Sequence, residues 1–198
     1  AFISGLIVVM VAYSVPIGGG SVSLMPMTVM TSYYILGSTM TGWVIYASSL
    51  GYALVRVWRA HHRAPSHEPT GRALIERTSV NIVMHVPGIL LANLVFTRLY
   101  GDTRLMRIDL DALVPLTLSC LAYVGVNYLL AAGYLALRNR AALEHYVAAL
   151  PPLILFEGCP VVFAPLIAVI HNRLGVGYFA LLSLAIFVVS LVSHDLAK

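Results

Sequence analysis

The chain has 198 residues and a formal net charge of +4, with 60% hydrophobic and only 10% charged side chains. A soluble globular domain carries about 25% charged residues, so this chain is too poor in charge to cover its own surface with polar groups. Its basic character is more typical of membrane orientation and anionic lipid than of nucleic-acid binding, so we expect the lipid bilayer as a partner and no nucleic acid.

Continuous apolar runs, such as residues 181–192, predict helices rather than barrel strands. Inside a bilayer every backbone N–H and C=O needs an internal partner, which leaves only helices or closed barrels. Barrel strands alternate apolar and polar residues over about ten positions, and these runs do not alternate. We therefore predict an all-α fold, a polytopic transmembrane helical bundle.

Seven apolar segments predict seven, or alternatively six, transmembrane helices. They are 1–15, 22–36, 39–58, 78–100, 110–137, 147–170 and 174–193, and the glycine-rich stretch 17–21 is predicted to be a flexible cap between the first two. A spanning helix needs about 20 residues, so the second segment is short: it is tilted, re-entrant or fused with the third. Residues 1–193 then form one transmembrane domain, and 194–198 begin a cytoplasmic connector to a domain outside this chain.

The basic residues provide an independent test of orientation. The predicted connector Arg56–Arg77 contains five arginines, the region 138–145 adds Arg138 and Arg140, and the chain ends on Lys198, so these regions hold eight of the twelve Lys and Arg residues. Seven alternating crossings place all three regions on one side. The positive-inside rule makes that side cytoplasmic, which predicts a multi-pass protein of the bacterial inner membrane with a cytoplasmic C-terminus.

Four polar residues within the apolar segments are candidate ligand contacts: Asn81, His85, Asn127 and Glu157. An ionisable side chain at bilayer depth is costly and is by default a functional hypothesis. Glu157, flanked by one glycine and two prolines, either accepts a hydrogen bond or a cationic group from a ligand, or carries a proton, or is a protonated acid that ties two helices together. The four come from three successive segments at similar depths, so they could line one pocket.

Each of these residues also has a structural interpretation. A lone buried histidine such as His85 is more often a hydrogen-bonded core residue than a metal ligand, and a buried asparagine such as Asn127 often joins two helices. The two cysteines, Cys120 and Cys159, lie in apolar segments and are interpreted as reduced core thiols, with a disulfide between them as the alternative. We predict no metal site and no cofactor. No catalytic motif is recognisable, so we expect no enzyme within these residues.

Trp43, Tyr46, Ser49 and Tyr52 recur at three-residue spacing in the third segment. We interpret them as an amphipathic aromatic stripe. The stripe is either helix packing with an interfacial belt or, with Trp43 and Tyr46 as ligand contacts, the stacking wall for a planar apolar ligand.

Four motifs carry a resemblance to a known family: GSVSLMPMTVM at 20–30, RTSVNIVMH at 77–85, YVGVNYLL at 123–130, and the C-terminal helix at 178–198. They resemble the multi-helix membrane-embedded N-terminal sensor domains of bacterial signalling proteins, which precede histidine kinase, diguanylate cyclase or HD-type phosphodiesterase modules. The resemblance implies a sensory, ligand-binding domain that passes a signal through its C-terminal helix to a cytoplasmic output module, and a homodimer is compatible with such a domain.

The chain also has a looser likeness to the substrate-binding S-components of energy-coupling-factor vitamin transporters, although their Ala-x-x-x-Ala coupling motif is absent from the first segment. A third hypothesis is a structural subunit of a larger membrane complex, in which interior polar groups only lock helices together. All three predict a helical bundle in a membrane, and the first two also predict a small-molecule ligand.

Overall fold

The computed structural model describes residues 15–17, 20–22, 24–62, 71–101, 105–138, 140–178, 180, 181, 184, 185 and 188. Apart from one short ribbon, the described residues form the all-α fold that the sequence predicts. The helical elements are α1 (Met25–Leu36), α2 (Ser38–His62), α3 (Gly71–Tyr100), α4 (Leu110–Arg138), α5 (Arg140–Leu153), a π-helical turn (Ile154–Gly158), α6 (Cys159–Val161) and α7 (Ala164–Leu174). Helical residues from 176 to 188 lie within the predicted segment 174–193.

The ribbon precedes α1 and consists of two antiparallel strands, β1 (Val15–Ile17) and β2 (Gly20–Val22). Val15 lies opposite Val22, and Ile17 opposite Gly20. The sequence predicts a flexible cap here, whereas the structure has regular strands on both sides of residues 18–19. Pairing satisfies backbone groups that an irregular cap would leave open. The rest of the predicted first segment, residues 1–14, lies outside the described residues.

Helix α1 is short and enclosed. Its 12 residues extend about 18 Å at 1.5 Å per residue, less than the hydrocarbon thickness of about 30 Å. Gly37 ends it with a φ of 81°, and the Gly37 N–H donates to the carbonyl of Tyr33 at 2.8 Å. Ten of the 12 residues are buried, because α1 packs against α2, α3, α6, α7 and the π-helical turn. The second predicted segment therefore contains a helix surrounded by protein.

The helices extend further into the predicted connectors than the apolar runs do. Helix α2 continues to His62 and α3 begins at Gly71, so much of the predicted connector 56–77 is helical and only 63–70 lies outside the described residues. Only residue 139 separates α4 from α5. Arginine and alanine are strong helix formers, so a helix that leaves the apolar region can continue where these residues follow.

Two helices in the described part of the chain are long and apolar enough to cross a membrane: Leu110–Leu137, and the continuous stretch Arg140–Leu174. Only 28% and 33% of their apolar windows are buried inside the protein, whereas the core helix of a soluble protein is mostly buried. Their exposed side chains include Leu113, Leu121, Leu129, Phe156 and Val162. Water seldom borders so much contiguous apolar surface, so these helices support association with a membrane.

The centre of the bundle is an aromatic cluster between α1 and α3. The Tyr34 ring lies 4.9 Å from the Tyr33 ring and 5.5 Å, edge to face, from the Phe96 ring. The Tyr33 hydroxyl donates to Asn93 Oδ1 at 3.3 Å. The cluster joins the enclosed helix to α3, which in turn packs along most of α4.

Candidate functional site

His85 and Tyr123 form a buried polar pair between α3 and α4. The Tyr123 hydroxyl lies 2.8 Å from His85 Nδ1, and the two rings are nearly parallel, at 15°, with centroids 6.0 Å apart. His85 is only 8% exposed and Tyr123 is fully buried. Gly88, one turn after His85, makes the pair possible, because a Cβ there would lie 3.0 Å from Tyr123 Cδ2 and from Asn127 Nδ2. Helices α3 and α4 therefore approach each other most closely beside this pair.

Asn127 lies one turn after Tyr123 on the same helix. Its Nδ2 donates to the Tyr123 carbonyl at 2.9 Å, a bond within α4, so the predicted bond between helices is not the one observed. Asn127 Oδ1 is buried and has no hydrogen-bond partner. The hydroxyls of Thr31 and Thr41 and one oxygen of Asp109 are the other such atoms among the described residues. A buried acceptor without a donor costs about 1–3 kcal/mol.

Glu157 lies in the π-helical turn, Ile154–Gly158. The local sequence favours an irregular helix here, because Pro160 has no N–H to donate to the Phe156 carbonyl and its ring obstructs the preceding helical turn. The Cys159 N–H instead bonds to the carbonyl of Ile154, five residues back. Such π-helical insertions occur frequently at functional sites. Glu157 is half-buried.

Tyr128 connects α4 to this turn. Its hydroxyl donates to the Leu153 carbonyl at 3.0 Å, and it lies 3.6 Å from the Cβ position of Gly158. Glu157 directly precedes Gly158 in the turn that Tyr128 contacts. Three of the predicted residues, His85, Asn127 and Glu157, are thus brought into one region through Tyr123 and Tyr128. We call these five residues the polar cluster.

A second buried network lies along the same face of α4. The Tyr34 hydroxyl lies 2.5 Å from Ser119 Oγ and 3.7 Å from Cys120 Sγ. Cys120 Sγ is also 3.7 Å from the Val161 carbonyl, which has lost its helical donor because Pro165 lacks an N–H. Both cysteines are free thiols; Cys120 is buried as expected, but Cys159 is exposed.

The residues that connect these groups, notably Tyr34, Ser119 and Tyr123, were not predicted from the sequence. The sequence did contain a signal for Ser119 and Tyr123. Together with the predicted residue Asn127 they are spaced by four residues and so share one helix face. Tyr34 could not be found in this way, since its partners lie 85 and 86 positions away in the chain.

Trp43 and Tyr46 lie apart from the polar cluster. They are 66% and 50% exposed, and their rings meet edge to face at 6.2 Å. With Ser38, Thr39, Gly42, Val86 and Leu90 they border an open groove of about 510 Å³ between α2 and α3. The predicted single stripe is not observed, because residues three apart rotate by about 60° around a helix, and Ser49 is buried instead.

The side chain of Asn81 lies outside the described part of the structure.

Within the described residues no three His, Cys, Asp or Glu side chains are grouped so that they could hold a metal ion. No protein-family model matches the chain, and neither a curated protein nor a solved structure is significantly similar to it.

Proposed function

We propose that the chain is a membrane-embedded sensory domain that binds a small molecule at the polar cluster. Binding alters the packing of the helices, and the C-terminal helix passes the change to a cytoplasmic output module. The unpartnered, buried Asn127 Oδ1 is the observation that carries the proposal. A cluster that only held helices together would be expected to satisfy its own acceptors, whereas a binding site has an acceptor for the ligand to fill.

The position of the cluster supports the same conclusion. The cluster joins α3 and α4 to the π-helical turn, so a ligand there contacts elements that are distant in sequence. The π-helical turn has weakened backbone bonding, and a change in helix register at that position costs less than within a regular helix. A ligand shifts such an equilibrium only by binding one arrangement more tightly than the other.

The membrane arrangement is part of the proposal. We place the chain in the bacterial inner membrane, with the basic connectors and the C-terminus in the cytoplasm and seven apolar segments in the bundle. The orientation does not depend on the short α1, because the three basic regions all lie after α1, starting at the end of the third apolar segment, and are separated by pairs of later segments. The resemblance to sensor domains of signalling proteins rests on the motifs at 20–30, 77–85 and 123–130.

The alternative binding function is that of a transporter S-component, which would use the same cluster but would co-purify with an ATPase and a coupling subunit. A structural subunit of a larger complex makes a different prediction: substitutions in the cluster would change stability and nothing else.

Native mass spectrometry of the chain purified from its own membrane in mild detergent tests the proposal. We expect the wild-type chain to retain a small molecule, and the Glu157→Gln and His85→Ala variants to lose it while keeping their helical circular dichroism. Glu144→Gln is the matched control, because Glu144 is exposed and pairs only with Arg140, at 3.9 Å, among the ion pairs observed. If the wild-type chain carries only water at the cluster, or if the variants retain the molecule equally, the proposed binding function is wrong.

A further inference from the structure

The backbone between α5 and α7 departs from α-helical bonding in two opposite ways. The Cys159 N–H bonds to the carbonyl of Ile154, five residues back, which is the wide ring of a π-helix. Directly after it, the Val162 N–H donates to the Cys159 carbonyl at 3.2 Å and the Phe163 N–H to the Pro160 carbonyl at 3.0 Å, each three residues back. The chain is therefore wound first more loosely and then more tightly than a regular helix.

Four prolines weaken the backbone bonding of this stretch. Pro151 and Pro152 lie before the π-helical turn, and Pro160 and Pro165 lie after it. Each proline lacks an N–H, so the carbonyl four residues earlier loses its helical donor. The long helical stretch from Arg140 to Leu174 thus lacks four of the bonds that fix the winding of a regular helix.

Helix α4 supplies two bonds of its own to the irregular stretch. The Tyr128 hydroxyl donates to the carbonyl of Leu153, the residue before the turn, at 3.0 Å. The Cys120 thiol lies 3.7 Å from the Val161 carbonyl, whose helical donor is missing at Pro165. Since a thiol is a weak donor, the Tyr128 hydroxyl is the stronger of these two contacts.

The helices on the two sides of the stretch are held very differently. Helix α7 packs against α1, and four of its residues are buried: Ala164, Pro165, Ile167 and Ala168. Among the 14 residues of α5, Leu153 alone is buried, and α5 packs mainly against α4 and the turn itself. A change of winding therefore moves α5 at little loss of buried surface, while α7 stays in place.

We propose that the π-helical turn is a two-register switch, and that the Tyr128 hydroxyl holds it in the π-helical register. In the second register the Cys159 N–H moves from the Ile154 carbonyl to the Leu155 carbonyl, which restores α-helical bonding. Helix α5 then rotates by one residue, about 100°, relative to α7, and presents a different face to α4. The switch does not require a ligand, so it and the proposed binding function can fail separately.

A distance between two spin labels reports the register. The labels are attached to cysteines introduced at Val147 on α5 and Leu54 on α2, which are 51% and 61% exposed. The exposed Cys159 is replaced by serine, and the buried Cys120 is kept. Distances are measured by double electron–electron resonance on the purified full chain in detergent. A rotation of about 100° moves a side chain at a helix radius of about 5 Å by about 8 Å, so each register gives its own distance.

Variants that favour the second register make the prediction specific. Tyr128→Phe removes only the hydroxyl, and we expect it to raise the ratio of the second to the main distance by about threefold to tenfold, the effect of losing one hydrogen bond of ordinary net strength. Tyr46→Phe, which loses a hydroxyl on the groove between α2 and α3, is the matched control and should give the wild-type distribution.

The second distance is identified by two further variants. Deletion of Phe156 removes one residue from the turn and is expected to give mainly the second distance. Pro160→Ala restores an N–H for the Phe156 carbonyl and is expected to increase the same distance, which keeps the test decisive if the deletion variant does not fold. Pro115→Ala, inside the regular helix α4, is its control and should change nothing.

The switch is supported if Tyr128→Phe and Pro160→Ala gain the same second distance and the controls do not. An unchanged distribution in both variants overturns it. So does a new distance in Tyr128→Phe that neither Pro160→Ala nor the deletion variant shares, because the movement would then be something other than a change of register. Retention of a small molecule in native mass spectrometry is measured independently, so it tests the proposed binding function whatever the labels show.

Discussion

Gly88 lies where α3 and α4 are closest, and its missing side chain makes the polar cluster possible. A Cβ at this position would lie 3.0 Å from Tyr123 Cδ2 and 3.2 Å from the Tyr123 carbonyl oxygen. The ring has some freedom to move, but the backbone oxygen does not. The close approach also holds Tyr123 against His85. Gly88 therefore sets the geometry of the cluster without taking part in its hydrogen bonds.

We predict that Gly88→Ala destabilises the protein by about 1–3 kcal/mol, because the added methyl forces two packed helices apart. The free energy of unfolding is measured by titration with sodium dodecyl sulfate in detergent micelles. Gly125→Ala is the control, since nothing lies within 4 Å of a Cβ there, and alanine has the higher helix propensity. Equal effects of the two substitutions would contradict the observed crossing.

The hydrogen bond between Tyr34 and Ser119 joins the enclosed helix to α4. We predict a coupling of about 0.6–1.7 kcal/mol between Tyr34→Phe and Ser119→Ala in a double-mutant cycle, the range for hydrogen bonds between helices in membranes. Tyr46→Phe is the control, because Tyr46 is half exposed on the outer groove. Additive effects of Tyr34→Phe and Ser119→Ala would show that the bond contributes no stability.

At the residue scale, the sequence identified ionisable residues inside apolar segments better than it identified the residues that contact them. The depth of His85 and Glu157 in apolar segments was sufficient to select them, because ionisable groups are rare there. The contact of His85 with Tyr123, and the contact of Tyr128 with the residue before the π-helical turn, depend on how α3, α4 and that turn are arranged. Side chains that are common in apolar segments, such as tyrosine, give no local signal of that arrangement.

At the element scale, apolar length predicted most helices and misjudged their ends. Helix α4 follows the predicted segment 110–137 within one residue. By contrast, the predicted segment 147–170 lies within a longer helical stretch, from Arg140 to Leu174, which is interrupted by the π-helical turn. The prolines and Gly158 indicated that the helix would be irregular there, but they do not determine whether a helix kinks, ends or forms a π-helical turn.

The C-terminal end of α7 holds the segment between α3 and α4. Asn172 Nδ2 donates to the Leu105 carbonyl and Arg173 Nε to the Met106 carbonyl, each at 2.8 Å. Arg107 also pairs with Asp109 at 2.8 Å. These bonds order a segment that has no regular secondary structure of its own, and they connect it to the end of α7.

We predict that Asn172→Ala raises hydrogen–deuterium exchange of residues 105–109 several-fold, because a local opening no longer has to break that bond. Exchange within α4 is expected to remain unchanged. Thr117→Ala, on the exposed face of α4, is the control and should leave the segment as protected as it is in the wild-type chain. Unchanged exchange in Asn172→Ala would mean that the segment is held by other contacts.

At the scale of the whole molecule, low charge and continuous apolar runs predicted an all-α fold, and the described residues are helical apart from the short ribbon and connecting residues. The exposed apolar surfaces of Leu110–Leu137 and Arg140–Leu174 agree with a lipid environment. The number of crossings could not be derived from the sequence. A short segment such as 22–36 needs the same apolar composition whether it spans the bilayer or is enclosed by other helices. The enclosure of α1 depends on contacts with α7, more than 100 residues away.

The central claim is that the polar cluster exists to bind a ligand and not to hold the fold together. Asn127 tests this claim most directly. Removing its unpartnered oxygen is expected to maintain or raise stability but to weaken ligand binding. Replacing an unsatisfied buried polar group by an apolar group of similar shape is nearly neutral or stabilising. Asn127→Leu removes the oxygen and keeps the branched side chain at a larger volume, and Asn127→Ala provides a smaller variant in case the leucine does not fit beside Gly88.

The decisive measurement therefore compares the free energy of unfolding with ligand retention in the Asn127 variants. We predict that Asn127→Leu is at least as stable as the wild-type chain and retains less of the small molecule seen by native mass spectrometry. If both variants are clearly less stable, and whatever the wild-type chain retains is retained in full, the cluster is structural and the proposed function is wrong.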